Sequence, residues 1–135
     1  MRTILLPLLS WVALWGTEGY EVYKRHCMQC HLEMMDKATT KQRFKSLKAP
    51  PMVEVSNRLR ENIVVADGDD DVHRHLVTLF IVDYIDNPRL LKSMCHPMAL
   101  ERFGVMPSLK GQLTSEEKQA VADWVYDRYA KVPFR

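Results

Sequence analysis

Two cysteines and a histidine stand close together near the start of the chain, in the run Cys27-Met28-Gln29-Cys30-His31. Thiols three residues apart lie on one side of a helical turn, where both can add to the vinyl groups of one haem and form thioethers. His31 follows directly and is then held under the iron, where its imidazole becomes an axial ligand. The pattern therefore predicts one haem c, bound through Cys27, Cys30 and His31.

Three other chemistries also use paired cysteines. A thioredoxin-like redox pair belongs in a βαβ context, and the sequence shows no convincing alternating strand. A structural zinc site needs two further ligands, which Cys95 and His96 could supply. A plain disulfide between Cys27 and Cys30 is the third alternative. The adjacent histidine, the helical pattern of the chain and its apolar start favour haem over all three.

Length and charge limit the functions that the chain can have. It has 135 residues, with 19 Lys and Arg against 17 Asp and Glu, a formal net charge of +2. This length suits one domain, and the near-neutral charge gives no electrostatic reason to expect a nucleic-acid partner. A hydrophobic content of 47% is that of a folded protein. Three cysteines are too few for a fold built on disulfides.

The first sixteen residues differ from the rest of the chain. Arg2 precedes an apolar stretch from Ile4 to Trp15, which is shorter than the roughly 20 residues that a membrane-spanning helix needs. This pattern is typical of a secretory signal peptide. We therefore predict a signal peptide over residues 1–16, a single domain over residues 17–135 and a periplasmic location. If the segment stays uncleaved, it would instead anchor the chain to the membrane.

The remaining sequence predicts an all-α fold. The first helix is expected over Thr17–His31, with Thr17 as its cap, because Tyr20, Tyr23, Cys27 and Cys30 share one helical face. The last helix is expected to begin at the capping box formed by Thr114 and Glu117. Between them the pattern predicts helices or turns over residues 40–48, 53–61, 72–86 and 89–103, the last interrupted at Pro97.

Both ends of the chain resemble the class I c-type cytochromes. The first-helix pattern Gly19-x-x-x-Tyr23-x-x-x-Cys27 resembles that family's first helix, where the glycine lets the last helix approach closely. The pair Val121-x-x-Trp124 resembles the answering residues on the last helix. The resemblance covers residues 19–31 and 103–129 and implies the cytochrome c fold, in which helices and loops wrap around one covalently bound haem.

The resemblance also implies the second iron ligand. The loop Gly104-Val105-Met106-Pro107 resembles the family's distal-ligand loop, so Met106 is expected to complete the coordination begun by His31. Met52, Met98 and His96 are the other conceivable ligands. In the family a Gly-Pro soon after the haem motif orients the proximal histidine through its carbonyl. Here the nearest candidates for that role are Pro50 and Pro51.

These residues together predict an electron carrier. Iron with two strong axial ligands has no open site, so one-electron transfer is expected rather than catalysis. The expected partners are redox protein donors and acceptors, among them a membrane respiratory complex. The alternatives are a haem c subunit of a redox enzyme and a haem-based gas sensor, both with open or weakly ligated iron.

The sequence also predicts the surroundings or the role of four further groups of residues. Cys95 is expected to be a buried thiol. The acidic run over residues 67–71 is expected to be a solvated loop rather than a calcium site. His26, His73 and His75 are expected at the surface or at the haem edge. Seven basic residues form either a solvated face or a docking rim for acidic partners: Lys24, Arg25, Lys37, Lys41, Arg43, Lys45 and Lys48.

Overall fold

The computed structural model describes residues 18–135, which form α-helices and one short 3₁₀ helix and contain no strand. This confirms the prediction of an all-α fold. The predicted signal peptide over residues 1–16 and the predicted cap at Thr17 lie outside the described residues. The helices are α1 (Gly19–His26), α2 (Lys37–Arg43), α3 (Met52–Asn62), α4 (Asp70–Asp86), the 3₁₀ helix (Leu90–Lys92), α5 (Pro97–Phe103) and α6 (Ser115–Arg128).

Helices α1 and α6 cross at Gly19. A Cβ atom at this position would lie 2.1 Å from the carbonyl oxygen of Ala120 and 2.4 Å from Cβ of Trp124, so only glycine fits. One turn later, the fully buried ring of Tyr23 stacks on Trp124 with 4.7 Å between ring centroids. The first and last helices therefore meet as the resemblance implies.

The core lies between α6 and the three helices that pack against it, α1, α3 and α4. Helix α3 is joined to α6 by the buried Ser56, whose hydroxyl donates to the carbonyl oxygen of Val125 at 2.8 Å. The side chains that fill this core are mostly aliphatic and aromatic: Val22, Val53, Val77, Ile81, Val121 and Tyr129. Burial of this apolar surface is the main force that holds the helices together.

The ends of the helices agree with the sequence in part. The capping box at α6 is present, since the Thr114 hydroxyl accepts from the Glu117 amide and the Glu117 carboxylate accepts from the Thr114 amide. Helix α1, however, ends at His26 rather than His31, because the haem motif leaves the helix in a hydrogen-bonded turn. Helix α3 covers the whole of the segment for which only a turn or short helix was expected.

Among the helices of residues 18–135, α4 is the longest, with 17 residues. No helix within residues 18–135 combines the length and the apolar character that a membrane crossing requires.

Candidate haem-binding site

A cleft of about 260 Å³ opens between the turn after α1, helix α3, helix α4 and the loop that precedes α6. Cys27, Cys30, His31 and Met106 all line this cleft. The structure thus brings together all four of the site residues predicted from the sequence. Most of the remaining wall is apolar and includes Val55, Leu59, Phe80, Ile81 and Ile85, which suits a large flat apolar group.

The haem motif is held in a tight turn at the end of α1. The amide of Cys27 donates to the carbonyl oxygen of Tyr23 at 2.8 Å, and the amides of Cys30 and His31 both donate to the carbonyl oxygen of Cys27, at 3.1 and 2.9 Å. The buried Tyr23 hydroxyl donates to the carbonyl oxygen of His31 at 2.7 Å. The same tyrosine that packs against α6 therefore also fixes the position of His31.

His31 is oriented by a backbone carbonyl. Its Nδ1 atom lies 2.7 Å from the carbonyl oxygen of the buried Pro50. A carbonyl oxygen can only accept, so Nδ1 carries the proton and the lone pair of Nε2 is left for a metal. Burial lowers the pKa of His31, although the Pro50 contact opposes this shift. The neutral imidazole, which is the form that binds iron, is thereby favoured.

Pro50 supplies this carbonyl although it lies 19 residues after His31. The two segments are joined again next to this contact, because the amide of Met52 donates to the carbonyl oxygen of Leu32 at 2.7 Å. Between the two candidates that the sequence offered, Pro50 rather than Pro51 makes the contact. Pro50 thus lies farther from the haem motif than the Gly-Pro of the class I c-type cytochromes does, but its carbonyl still makes the hydrogen bond to His31.

The two thiols are free, and neither forms a disulfide. Burial and, to a smaller extent, the neighbouring Cys30 raise the pKa of Cys27 to about 11. A zinc site built on these two cysteines would need both as thiolates, together with a third and a fourth ligand. Within residues 18–135, no three His, Cys, Asp or Glu donors lie close enough together to hold a metal ion. The arrangement therefore fits thioether formation better than a zinc site.

Met106 lies half-buried in the loop between α5 and α6. The loop begins at Gly104, whose φ of 68° is in the left-handed region that glycine adopts without strain. Beyond Met106 the loop is tied to the end of α4. The Ser108 hydroxyl donates to the carbonyl oxygen of Asp86 at 2.6 Å, and the Leu109 amide donates to the carbonyl oxygen of Ile85 at 2.9 Å.

The three other conceivable ligands occupy different environments. Met98 is 62% exposed and does not line the cleft. Met52 does line it, but its backbone is bonded to Leu32, directly after His31, so it belongs to the wall that carries the histidine. His96 also lines the cleft, and its Nδ1 accepts from the amide of Met98 at the start of α5. Met106, by contrast, is neither hydrogen-bonded to the segment beside His31 nor part of a helix cap.

Two expectations for single residues were wrong. Cys95 is exposed rather than buried, because it lies in the irregular segment between the 3₁₀ helix and α5, at the rim of the cleft. His73 is neither a surface residue nor at the cleft. Its Nδ1 lies 2.7 Å from the Tyr126 hydroxyl, and its Nε2 lies 2.9 Å from the carbonyl oxygen of Ile63. This histidine joins the end of α3 to α4 and α6.

The acidic and basic groups have mixed roles. Asp69 accepts from the amide of Val72 and so caps α4. Within the basic cluster, Lys24 pairs with Glu21 and Arg25 pairs with Glu117, so these two charges are partly neutralised.

Glu54 and Arg58 also line the cleft, although no pattern in the sequence singled them out. Their spacing of one helical turn was visible, but nothing in the sequence placed α3 against the haem motif.

The comparisons with known proteins agree with this site. The family model described as cytochrome c oxidase, cbb3-type, subunit III matches residues 16–125. A protein of Aquifex aeolicus (strain VF5), named only as an uncharacterized protein, is 38% identical over 146 aligned positions that cover 96% of this chain and 89% of that protein. No solved structure matches the chain significantly. With the haem motif, the oriented histidine and the all-α fold, the family match shows that the chain belongs to the c-type cytochromes.

Proposed function

We propose that this c-type cytochrome is a one-electron carrier in which Cys27 and Cys30 attach a single haem c and His31 and Met106 ligate its iron. The observation that carries the proposal is the hydrogen bond from His31 Nδ1 to Pro50, which leaves Nε2 as a ligand beside two free thiols. The family supports electron transfer in general. The ligands and the single haem are our inference.

The residues of the cleft fit this cofactor. The bound haem would supply an iron that alternates between the ferrous and ferric states. Cys27 and Cys30 hold it covalently, and His31 is kept neutral and oriented by Pro50. The thioether of Met106 favours the ferrous state and so raises the reduction potential. The apolar wall excludes water, and two protein ligands leave no position for a substrate.

We further propose that residues 1–16 direct the chain to the periplasm and that residues 17–135 form its single domain. The apolar stretch from Ile4 to Trp15 supports this proposal. A chain that starts at Thr17 without a signal should accumulate in the cytoplasm as colourless apoprotein. Coloured holoprotein in the cytoplasm would contradict the proposal.

The second candidate is a haem c subunit of a respiratory enzyme. It is favoured by the family description, which names a subunit of a cbb3-type cytochrome c oxidase. For either role, carrier or subunit, we therefore propose that an oxidase complex accepts the electron. Purification of the tagged full chain under mild conditions should separate the two roles, because a subunit would stay with the oxidase at fixed stoichiometry and a carrier would dissociate at high salt.

The experiment that tests the proposed function is an absorption spectrum of the purified protein, oxidised and reduced, with its intact mass. We expect one haem added to the chain mass, low-spin iron in both states and haem that stays attached in acid acetone. Double replacement of Cys27 and Cys30 by Ala should release the haem. High-spin iron would favour an enzyme or sensor instead, and haem that extracts from the unmodified protein would refute covalent attachment.

A further inference from the structure

An aromatic pair and a hydrogen bond join the turn after α2 to the end of α5. Phe44, which directly follows α2, packs edge-on against Phe103, the last residue of α5, with 5.2 Å between ring centroids and 66° between ring planes. Beside this pair, the guanidinium of Arg102 donates to the carbonyl oxygen of Lys45 at 2.7 Å. We call these four residues the clasp.

The clasp lies outside the main core that the four larger helices share. Between residues 18 and 135, no residue from 37 to 48 or from 97 to 103 belongs to that core. Leu47 and Ala99 are nevertheless each only 5% exposed, and one lies in each of the two joined segments. The clasp therefore belongs to a small second cluster that holds these two segments together.

Each of the two segments continues into one side of the candidate haem site. The turn after α2 continues to Pro50, whose carbonyl oxygen orients His31. Helix α5 ends at Phe103, and the loop that carries Met106 begins at the next residue. Hydrogen bonds to the end of α4 hold the far end of this loop. The clasp holds its near end.

We propose that the clasp positions Met106 on the iron, because it holds the start of the methionine loop against the segment that carries Pro50. The inference rests on the proposed function, which supplies the haem and assigns Met106 as its ligand. Phe44 and Arg102 do not line the cleft, so they act through the loop rather than on the haem. Few contacts hold this cluster, so it opens locally more often than the main core does.

The test compares the ferric full-length holoprotein with Phe44→Ala, Arg102→Gln and Phe44→Tyr. Stopped-flow mixing with saturating cyanide measures how often Met106 leaves the iron. We expect Phe44→Ala to bind cyanide about three- to tenfold faster than the wild type, a range that corresponds to the energy of one aromatic pair. Arg102→Gln removes the hydrogen bond to Lys45 and should also bind cyanide faster. Phe44→Tyr keeps the ring and should retain the wild-type rate.

Phe134→Ala is the matched control. Phe134 is half-buried like Phe44, but it packs against the main core near the end of the chain and does not line the cleft. Its loss should lower the free energy of unfolding, as Phe44→Ala does, and leave the cyanide rate unchanged. The pair of variants thus separates a general loss of stability from an effect on the iron ligand.

Failure of this inference can be told apart from failure of the proposed function. If the wild type is low-spin but Phe44→Ala keeps its cyanide rate, the inference is wrong and the carrier proposal stands. A rate that Phe134→Ala raises equally would also overturn the inference. If Phe44→Ala does not mature, Arg102→Gln decides, and an unchanged rate overturns the inference. High-spin iron in the wild type would overturn the proposed His/Met ligation, and the inference with it.

Discussion

Gly19 on the first helix lies directly against Ala120 on the last, so that a Cβ atom at Gly19 would stand 2.1 Å from the Ala120 carbonyl oxygen. The obstacle is backbone and cannot rotate away. Gly19→Ala should therefore force the two helices apart and destabilise the holoprotein by on the order of 1–3 kcal/mol. Chemical unfolding, followed by the haem absorbance and by circular dichroism, measures this loss.

Lys41→Ala is the control for Gly19→Ala, because Lys41 is an exposed helical residue. Its free energy of unfolding should stay within about 0.5 kcal/mol of the wild type. Equal stability of Gly19→Ala and wild type would refute the close helix crossing.

The crossing was expected from the resemblance to the class I c-type cytochromes, but the cleft behind it was predictable only in part. Spacing within each helix shows that Gly19 and Tyr23 share a face, and that Val121 and Trp124 share another. Only the resemblance paired the two faces. Pro50 reaches His31 through a tertiary contact across 19 residues. Local patterns do not report such a contact, and for the same reason Arg58 was missed and Cys95 was expected in the core.

His73 should stabilise the fold without affecting the haem. It contacts the Tyr126 hydroxyl and the backbone at the end of α3, and a phenylalanine would leave these groups without partners. His73→Phe should lower the free energy of unfolding by about 1–3 kcal/mol, the usual cost of an unsatisfied buried polar group. The exposed neighbour His75 is the matched control, and His75→Phe should cost far less. An absorption spectrum altered by His73→Phe would place this histidine at the haem after all.

Ser108 should hold the loop that carries Met106. Its hydroxyl donates to the carbonyl oxygen of Asp86 at the end of α4. Ser108→Ala removes this tie, so the ferric protein should keep its low-spin spectrum but bind cyanide faster, because the loop opens more often. Stopped-flow mixing measures the rate. Ser46→Ala is the control, since Ser46 makes a similar bond to the carbonyl oxygen of Arg43 outside this loop. Identical cyanide rates for Ser108→Ala, Ser46→Ala and wild type would show that the Ser108 hydrogen bond does not restrain Met106.

Met106 should be the sulfur ligand of the iron. The ferric protein should then show the weak far-red band of sulfur-to-iron charge transfer, and Met106→Ala should abolish it. The same variant should lower the reduction potential, because the thioether favours the ferrous state, and open the iron to carbon monoxide. Cys27, Cys30 and His31 are unchanged, so the haem should remain attached.

The controls for Met106→Ala are Met98→Leu and Met52→Leu. Met98 is 62% exposed, whereas Met52 is 5% exposed and lines the cleft from the histidine side. Leucine replaces a packing methionine at small cost, so both variants should keep the band and nearly the wild-type potential. If Met52→Leu loses the band while Met106→Ala keeps it, the loop assignment is wrong, although an electron carrier with His/Met ligation remains. If the wild type itself has no such band and its iron is high-spin, an enzyme subunit or a gas sensor is favoured instead. Both require an exchangeable position on the iron.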